Sequence, residues 1–340
     1  MHEINLASYR LRTDLAIDSK IDKNKDNYIR NDITKDIYVE EVIIKDKEEE
    51  EKYHRSIGIY KTICFKDITD TDNFEMVLNT FSKEFKDMLD KNNISDDMSV
   101  LIIGLGNIKS TPDALGPKSI DSILVTRHLF NLGEVEEGYR CVSVLVPGVT
   151  GETGIETKDT IFSIVKETKP QFVIIVDALS TLSIERLNKT IQISNSGIIP
   201  GSGVNNSRIT LSEETLGVKT IVVGVPTIID SSVIVADTIK YMLKKFSYDK
   251  NNINNKSNKL KYKINYKEYD KELNIKDKEL LLGIVGTLNE EELMHLVVEV
   301  LSPIDYNFMV TPKEIDFIIE KLSLLIGKGL NKALHFKLRK

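Results

Sequence analysis

The chain has 340 residues, 41% of them hydrophobic, and a formal net charge of −6. That length suits one large α/β domain with additions, or two domains. The acidic balance gives no electrostatic footprint for direct nucleic-acid binding, and no apolar run approaches the ~18 residues a membrane helix needs.

Residues 1–18 are polar with a small apolar centre and read as a frayed terminus. Met1 to Leu6 lack the positive start and apolar stretch of a secretory signal. Two charged blocks follow, Asp22 to Asp26 and Lys45 to Lys52. Between them the β-branched run 37–44 predicts a strand, and 57–65 predicts a second. The acidic block joining the two reads as a solvated hairpin tip. Phe74, Val77, Leu78, Phe81, Phe85, Met88 and Leu89 recur at helical spacing over 73–91. Apolar strands are then predicted over 99–105, 141–146, 172–176, 190–194 and 220–225, with helices over 119–130, 155–168 and 231–245. Buried strands alternating with helices predict an α/β fold, with a mostly parallel sheet and helices on both faces.

Residues 247–278 break this pattern. Asn251, Asn252, Asn254, Asn255 and Asn258 are interleaved with lysine, the mark of a low-complexity surface insertion with no chemical role. The C-terminal part is helical. Asn289 precedes Glu290, Glu291 and Glu292, and Leu293, Leu296, Val297 and Val300 form a stripe that Ser302-Pro303 ends. Thr311-Pro312-Lys313-Glu314 reads as a capping box. Ile315, Ile318, Ile319, Leu322, Leu325 and Ile326 make a core face, Gly327 and Gly329 loosen the end of that helix, and a basic tail suits its C-terminus.

In open α/β sheets sites collect beyond the carboxyl ends of strands. Asp113 falls there, after strand 99–105 and a glycine turn. Asp177 falls there too, at the end of 172–176. Two carboxylates held close cannot both ionise easily, so one keeps a proton while the other stays charged. Such a pair can activate water on an amide and protonate the leaving nitrogen. On spacing alone Asp113 is equally an N-cap after Pro112, and Asp177 equally a strand-end turn former. Gly104-Leu105-Gly106-Asn107 lacks the third glycine of a dinucleotide fingerprint and reads better as a turn that clears space for a chain. Further glycine loops follow at 147–154, 198–205 and 224–230, and several such loops suggest a cleft. His2, His54, His128, His295 and His335 form no metal-ligand pattern, and no Gly-x-Ser-x-Gly elbow is present. Neither a metal nor a cofactor is expected. Cys64 and Cys141 lie far apart in or near apolar runs, which points to free thiols in a reducing, intracellular setting. Cys141 reads as core rather than nucleophile.

Several stretches together resemble the spore germination protease family, the endopeptidases that degrade small acid-soluble spore proteins. They are Arg12-Thr13-Asp14-Leu15-Ala16, Gly104-Leu105-Gly106-Asn107 with Thr111 to Pro117, and Pro147-Gly148-Val149. The likeness continues through Asp177-Ala178-Leu179, Thr190 to Ser194, Pro200-Gly201-Ser202-Gly203-Val204 and Gly224-Val225-Pro226-Thr227. It covers nearly the whole chain apart from the Asn/Lys-rich insertion. The resemblance implies an atypical aspartic-type endopeptidase, unrelated to the pepsin fold, with a core similar to hydrogenase maturation endopeptidases. It implies a homotetramer of the forespore or spore-core cytoplasm, with Asp113 and Asp177 as the catalytic aspartates. It also implies a zymogen that cuts itself at Asp14–Leu15, because the family's substrates are cut after an acid and before an apolar residue followed by alanine. On that basis residues 1–14 are a propeptide that keeps the cleft closed, and 15–340 the peptidase domain. Within it the α/β core spans about 73–246, the insertion 247–278 and the C-terminal helices 289–332. Gly104, Gly106, Asn107, Gly148, Gly201 and Gly203 become candidate walls of a peptide cleft. Any link to DNA runs through DNA-bound substrates. Two other readings stay open: a metal-assisted maturation peptidase of the hydrogenase-processing type, and a non-catalytic assembly protein on the same fold.

Overall fold

The computed structural model describes residues 13–19, 21, 27–200, 210–254, 266, 269–301 and 308–339. The chain divides into two compact units. The larger holds Arg12–Ile228 with Thr311–Lys340, and the smaller is built on Ile229–Val310.

The strands are β1 (Tyr28–Asp32), β2 (Ile37–Ile44), β3 (Gly58–Phe65), β4 (Val100–Gly104), β5 (Val142–Leu145), β6 (Phe172–Thr181), β7 (Thr190–Ser194), β8 (Lys219–Asp230) and β9 (Met309–Val310). They lie in the order β1-β2-β3-β7-β8-β6-β4-β5, with β9 beside the end of β8. The α/β class is as predicted, but parallel pairing is narrower than a mostly parallel sheet. β4 pairs in parallel with β5 and β6, whereas β1-β2-β3-β7-β8 is antiparallel throughout. The reason is connection length. Crossover helices separate the parallel strands, while a short link, residues 33–36, joins β1 to β2, and short links favour antiparallel neighbours.

Alternation along β6 sorts its side chains onto two faces. Phe172, Ile174 and Val176 join the larger core, built with Phe81, Phe85 and Met88 of the helix Thr71–Lys91 and with Ile319, Leu322, Leu325 and Ile326 of the helix Ile315–Leu334. Val173 and Ile175 face a smaller core with Leu101, Ile103, Ile161 and Val165. Residues of the first helix recur at the predicted spacing, and Asp70 caps it by accepting the Asn73 N–H at 3.0 Å.

Several elements depart from the sequence reading for local reasons. The acidic block after β2 is a helix, Lys47–Tyr53, capped by Asp46 through the Glu49 N–H at 2.9 Å. Acids in a first turn favour the helix dipole. The helix predicted over 119–130 is two, Leu115–Ile120 and Arg127–Leu132. Thr126 leaves the helical path to bond β5: its N–H reaches the Val142 carbonyl at 3.0 Å and its hydroxyl accepts the Val142 N–H at 2.9 Å. The predicted helix over 231–245 runs on to Asn252, through the start of the Asn/Lys-rich stretch. The 224–230 stretch is not a loop but part of β8. Thr311 makes no capping box. Its hydroxyl instead donates to the Thr227 carbonyl at 2.9 Å, and the helix begins at Ile315. The tail does meet the helix end, since Arg339 Nη2 donates to the Ala333 carbonyl at 2.7 Å.

Gly327 and Gly329 do not loosen the last helix, which continues to Leu334. They admit close neighbours. A Cβ at Gly327 would lie 2.6 Å from Ser122 Cβ, and one at Gly329 would lie 2.4 Å from Phe81 Cδ1. Gly329→Ala is therefore expected to destabilise the chain by about 1–3 kcal/mol through overpacking. Pairing it with Phe81→Leu should recover part of that loss, as denaturant unfolding of both variants and the double would show.

Candidate active site

β4 ends at Gly104, and its ladder with β6 closes on the Leu105 N–H bonded to the Val176 carbonyl at 2.8 Å. The chain turns at Gly106, whose φ of +118° few side chains tolerate. A Cβ there would lie 2.0 Å from the Asp113 carbonyl oxygen. The turn leads to the short 3-10 helix Thr111–Asp113, with Pro112 in its first turn. There Asp113 Oδ2 accepts the Asn107 N–H at 2.7 Å. Asp113 is not a helix cap. Ala114 occupies the cap position of Leu115–Ile120, and no side chain caps that helix.

The same helix is pressed onto the sheet by two glycines. A Cβ on Gly116 would meet the Leu105 carbonyl at 2.1 Å and the Val176 carbonyl at 2.5 Å, and one on Gly104 would meet the Gly116 carbonyl at 2.4 Å. Backbone thus rests on backbone, which draws Asp113 toward β6.

Asp177 lies within β6, four residues before its end, rather than at a strand-end turn. It is 6% exposed, and its Oδ1 accepts the Ala178 N–H at 2.9 Å. Burial pushes its carboxyl well above the usual range, and the charges of Asp113 and then Asp14 push it further. Burial also raises Asp113, opposed by the Asn107 N–H that favours its charged form. The pair is therefore asymmetric: Asp177 is the better proton holder and Asp113 the better anion.

The segment after residue 12 is well seated. The Asp14 N–H donates to the Ser180 carbonyl at 3.2 Å. Asp14 Oδ2 accepts the Ser180 N–H at 2.8 Å and the Ser180 hydroxyl at 2.9 Å. These groups lie on the β6 edge that β4 has vacated, because Val176, Ala178 and Ser180 present their backbone to the same side. Leu15 is fully buried with Ile17 and Leu179, with Ile198 packed against them, and Ala16 is buried with Val42, Ile44, Tyr53 and Tyr60. Arg55 donates to the Thr13 carbonyl at 2.6 Å. Asp18 receives the Thr13 and Thr181 hydroxyls, the Leu182 N–H and Arg186. Of the region read as a frayed terminus or propeptide, residues 1–12 lie outside the described residues.

The other expected wall residues divide. Gly106 and Asn107 shape the Asp113 turn, while Gly104 is taken up by the crossing with Gly116. Gly148, at φ +72°, begins a loop drawn toward the Asn107 turn by the ion pair of Lys109 and Glu152 at 3.0 Å. Gly201 and Gly203 lie outside the described residues. Among the described residues no group of three or more His, Cys, Asp or Glu could hold a metal ion, and no helix is long and apolar enough to cross a membrane. Cys64 and Cys141 are free. Burial, then Glu40, push the Cys64 thiol up to about 12, far from thiolate reactivity. Sequence spacing missed Ser180, Arg55 and Asp18, whose partners, Thr13 beside Asp18 apart, are remote in the chain and which carry no local motif.

Because the fold raises the Asp177 carboxyl, the folded state binds more protons than the unfolded one. Stability from this group is full below the ordinary carboxylate range and is lost as pH rises through the raised value. Asp177→Asn imitates the neutral acid and keeps the acceptor for Ala178. Its Tm is expected to exceed that of the unaltered chain at pH 8, with the difference shrinking toward zero near pH 4, in paired thermal melts across that range.

The family described as Peptidase_A25, germination protease, matches residues 9–340. The germination protease of Priestia megaterium is 42% identical, the match covering 98% of this chain and 96% of that one. That of Bacillus thuringiensis subsp. konkukian is 43% identical with the same coverage. Among solved structures, the [NiFe] hydrogenase maturation protease HycI from Thermococcus kodakarensis KOD1 is similar over 42% of this chain and 80% of its own, at 19% identity and a TM-score of 0.28. With a family match over nearly its whole length and relatives this similar end to end, the chain belongs to the germination protease family.

Proposed function

We propose that this peptidase is an aspartic-type endopeptidase that starts the breakdown of small acid-soluble, DNA-binding spore proteins during germination. In this reading it is made as a zymogen that cuts itself at Asp14–Leu15, releasing residues 1–14, and it works as a homotetramer in the spore core. The observation that carries the reading is the place of Asp14: its N–H and carboxylate bond Ser180, three residues along β6 from Asp177, whose carboxyl the charges of Asp113 and Asp14 help to raise. An acid-apolar-alanine sequence of the kind expected in the substrates is thus held on the strand that carries the buried Asp177.

The chemistry asked of the pair is direct. Asp113, whose anion is favoured by the Asn107 N–H, takes a proton from water as its oxygen adds to the Asp14 carbonyl carbon. Asp177, kept protonated by burial, gives its proton to the Leu15 nitrogen as the Asp14–Leu15 bond breaks. A new carboxyl forms on Asp14 and a new amine on Leu15.

Asp113→Asn and Asp177→Asn are each expected to slow self-cleavage by about 10²–10⁴-fold while keeping a cooperative unfolding transition. Mass spectrometry of the N-terminus over time checks this, and near-normal processing in either variant would count against the pair. The pH profile should be bell-shaped. Activity falls at low pH as Asp113 takes up a proton and at high pH as Asp177 loses one, and the two limbs belong to the coupled pair. Incubation with a small acid-soluble spore protein, with the cut mapped by sequencing, tests the substrate class.

A further inference from the structure

The segment Asp14–Ala16 is held across the face of the sheet by groups that the carboxylate chemistry does not use. At β6 the Asp14 carboxylate takes the Ser180 N–H and hydroxyl at 2.8 and 2.9 Å. Over β8, Leu15 rests on Leu179, which lies where Gly224 has no side chain; a Cβ there would be 2.3 Å from Leu179 Cδ1. At β7 the Gln192 amide makes two bonds at once. Its Nε2 donates to the Asp14 carbonyl oxygen at 3.0 Å, and its Oε1 accepts the Ala16 N–H at 2.7 Å. The backbone partners fix which end of the amide is which, because a carbonyl only accepts and an N–H only donates. Gln192 is 5% exposed, pairs with Gly224 across the ladder, and shares the sheet face of Leu179.

Two physical consequences follow. An amide that takes the carbonyl before Leu15 and the N–H after it sets the register, since in an extended segment a slip of one residue turns those backbone groups to the other side. The donor also sits on the oxygen that gains negative charge when water adds to the Asp14 carbonyl carbon. A donor fixed in a buried site stabilises that charge far more than it would in water. Ser180 supplies the complementary reading of the side chain: an N–H and a hydroxyl converge on one carboxylate oxygen, and such bonds are about twice as strong to a charged acceptor as to a neutral one.

We propose that Gln192 is a catalytic residue of the cut, holding the scissile peptide unit and stabilising the oxyanion at the Asp14 carbonyl, and that Ser180 is the residue that selects an acid before the bond. The assignment rests on the reading of Asp14–Leu15 as the bond cut. In the step itself water adds to the carbonyl carbon and the carbonyl electron pair moves onto the oxygen under Gln192 Nε2. That pair returns as the carbon–nitrogen bond breaks, and the Leu15 nitrogen leaves with a proton from the carboxylate pair. Ser180 exchanges no proton.

The test is single-turnover self-cleavage of the full chain, followed by mass spectrometry. Rate constants rather than amplitudes are compared, so a smaller folded fraction does not imitate a slower cut. Gln192→Met, close in volume, and Gln192→Glu, which keeps the acceptor and loses the donor, are expected to slow the cut by about 10²–10³-fold, whether residue 14 is Asp or Asn. Ser180→Ala is expected to slow the chain with Asp14 by about 10-fold and to have no further effect once Asp14→Ala, which leaves no acceptor, is present. Self-cleavage within about twofold of the unaltered rate in both Gln192 variants, or strictly additive effects of Ser180→Ala and Asp14→Ala, overturns the assignment while leaving the cut itself in place. An unaltered chain that never cuts between Asp14 and Leu15 overturns the underlying reading, and this assignment with it.

Discussion

The absence of two side chains governs this molecule. Gly104 and Gly116 let the helix Leu115–Ile120 lie on the bare backbone where β4 leaves β6. Any other residue at 116 would drive a carbon into two carbonyl oxygens, those of Leu105 and Val176. The Val176 carbonyl cannot yield without breaking the parallel ladder, because its oxygen also receives the Leu105 N–H. Asp113 stands three residues before Gly116, so the approach of that helix decides how near its carboxylate comes to Asp177.

A second consequence concerns the sheet. β4 is five residues long and β6 is ten, so β6 outruns its neighbour and leaves an open edge from Asp177 onward. Backbone groups on an open edge seek partners. Here Ala178 gives its N–H to Asp177, and Ser180 gives its N–H to Asp14 and receives the Asp14 N–H. The buried Asp177 and the docked N-terminal segment therefore share the same stretch of β6. Their proximity also explains the electrostatics. Three acids share a region of low exposure, and the most buried of them, Asp177, bears the largest burden of the others' charge.

The larger unit pays for this crowding with packing elsewhere. The two long helices Thr71–Lys91 and Ile315–Leu334 cover one face with aliphatic and aromatic side chains. The buried Lys61 ties the first of them to β3 through Glu84 and Asp87, both at 2.5 Å. Arg140 fastens the C-terminus by donating to the carbonyls of Ser95, Met98 and Leu334. None of these groups advertised itself in the chain, because each partner lies far away in sequence.

What the sequence determined by itself was set by short-range physics. Apolar period and β-branched content placed β2, β3, β4, β6 and β7 and the two long helices, since hydrophobic spacing reports a face directly. A strand, a glycine turn and an acid marked Asp113 and Asp177 as candidates, and the stretches around them carried the family likeness. What only the tertiary structure decided depended on partners from elsewhere in the chain. β6 and β8 extend past their apolar runs because neighbouring strands and the N-terminal segment accept their backbone groups. Thr126 and Thr311 spend their hydroxyls on distant carbonyls rather than on helix ends. Asp113 could not be told from a cap, nor Asp177 from a turn former, by spacing. Their partners are the Asn107 and Ala178 amides, and the charge of Asp113 helps to raise the Asp177 carboxyl once a glycine-bare helix has settled on the sheet.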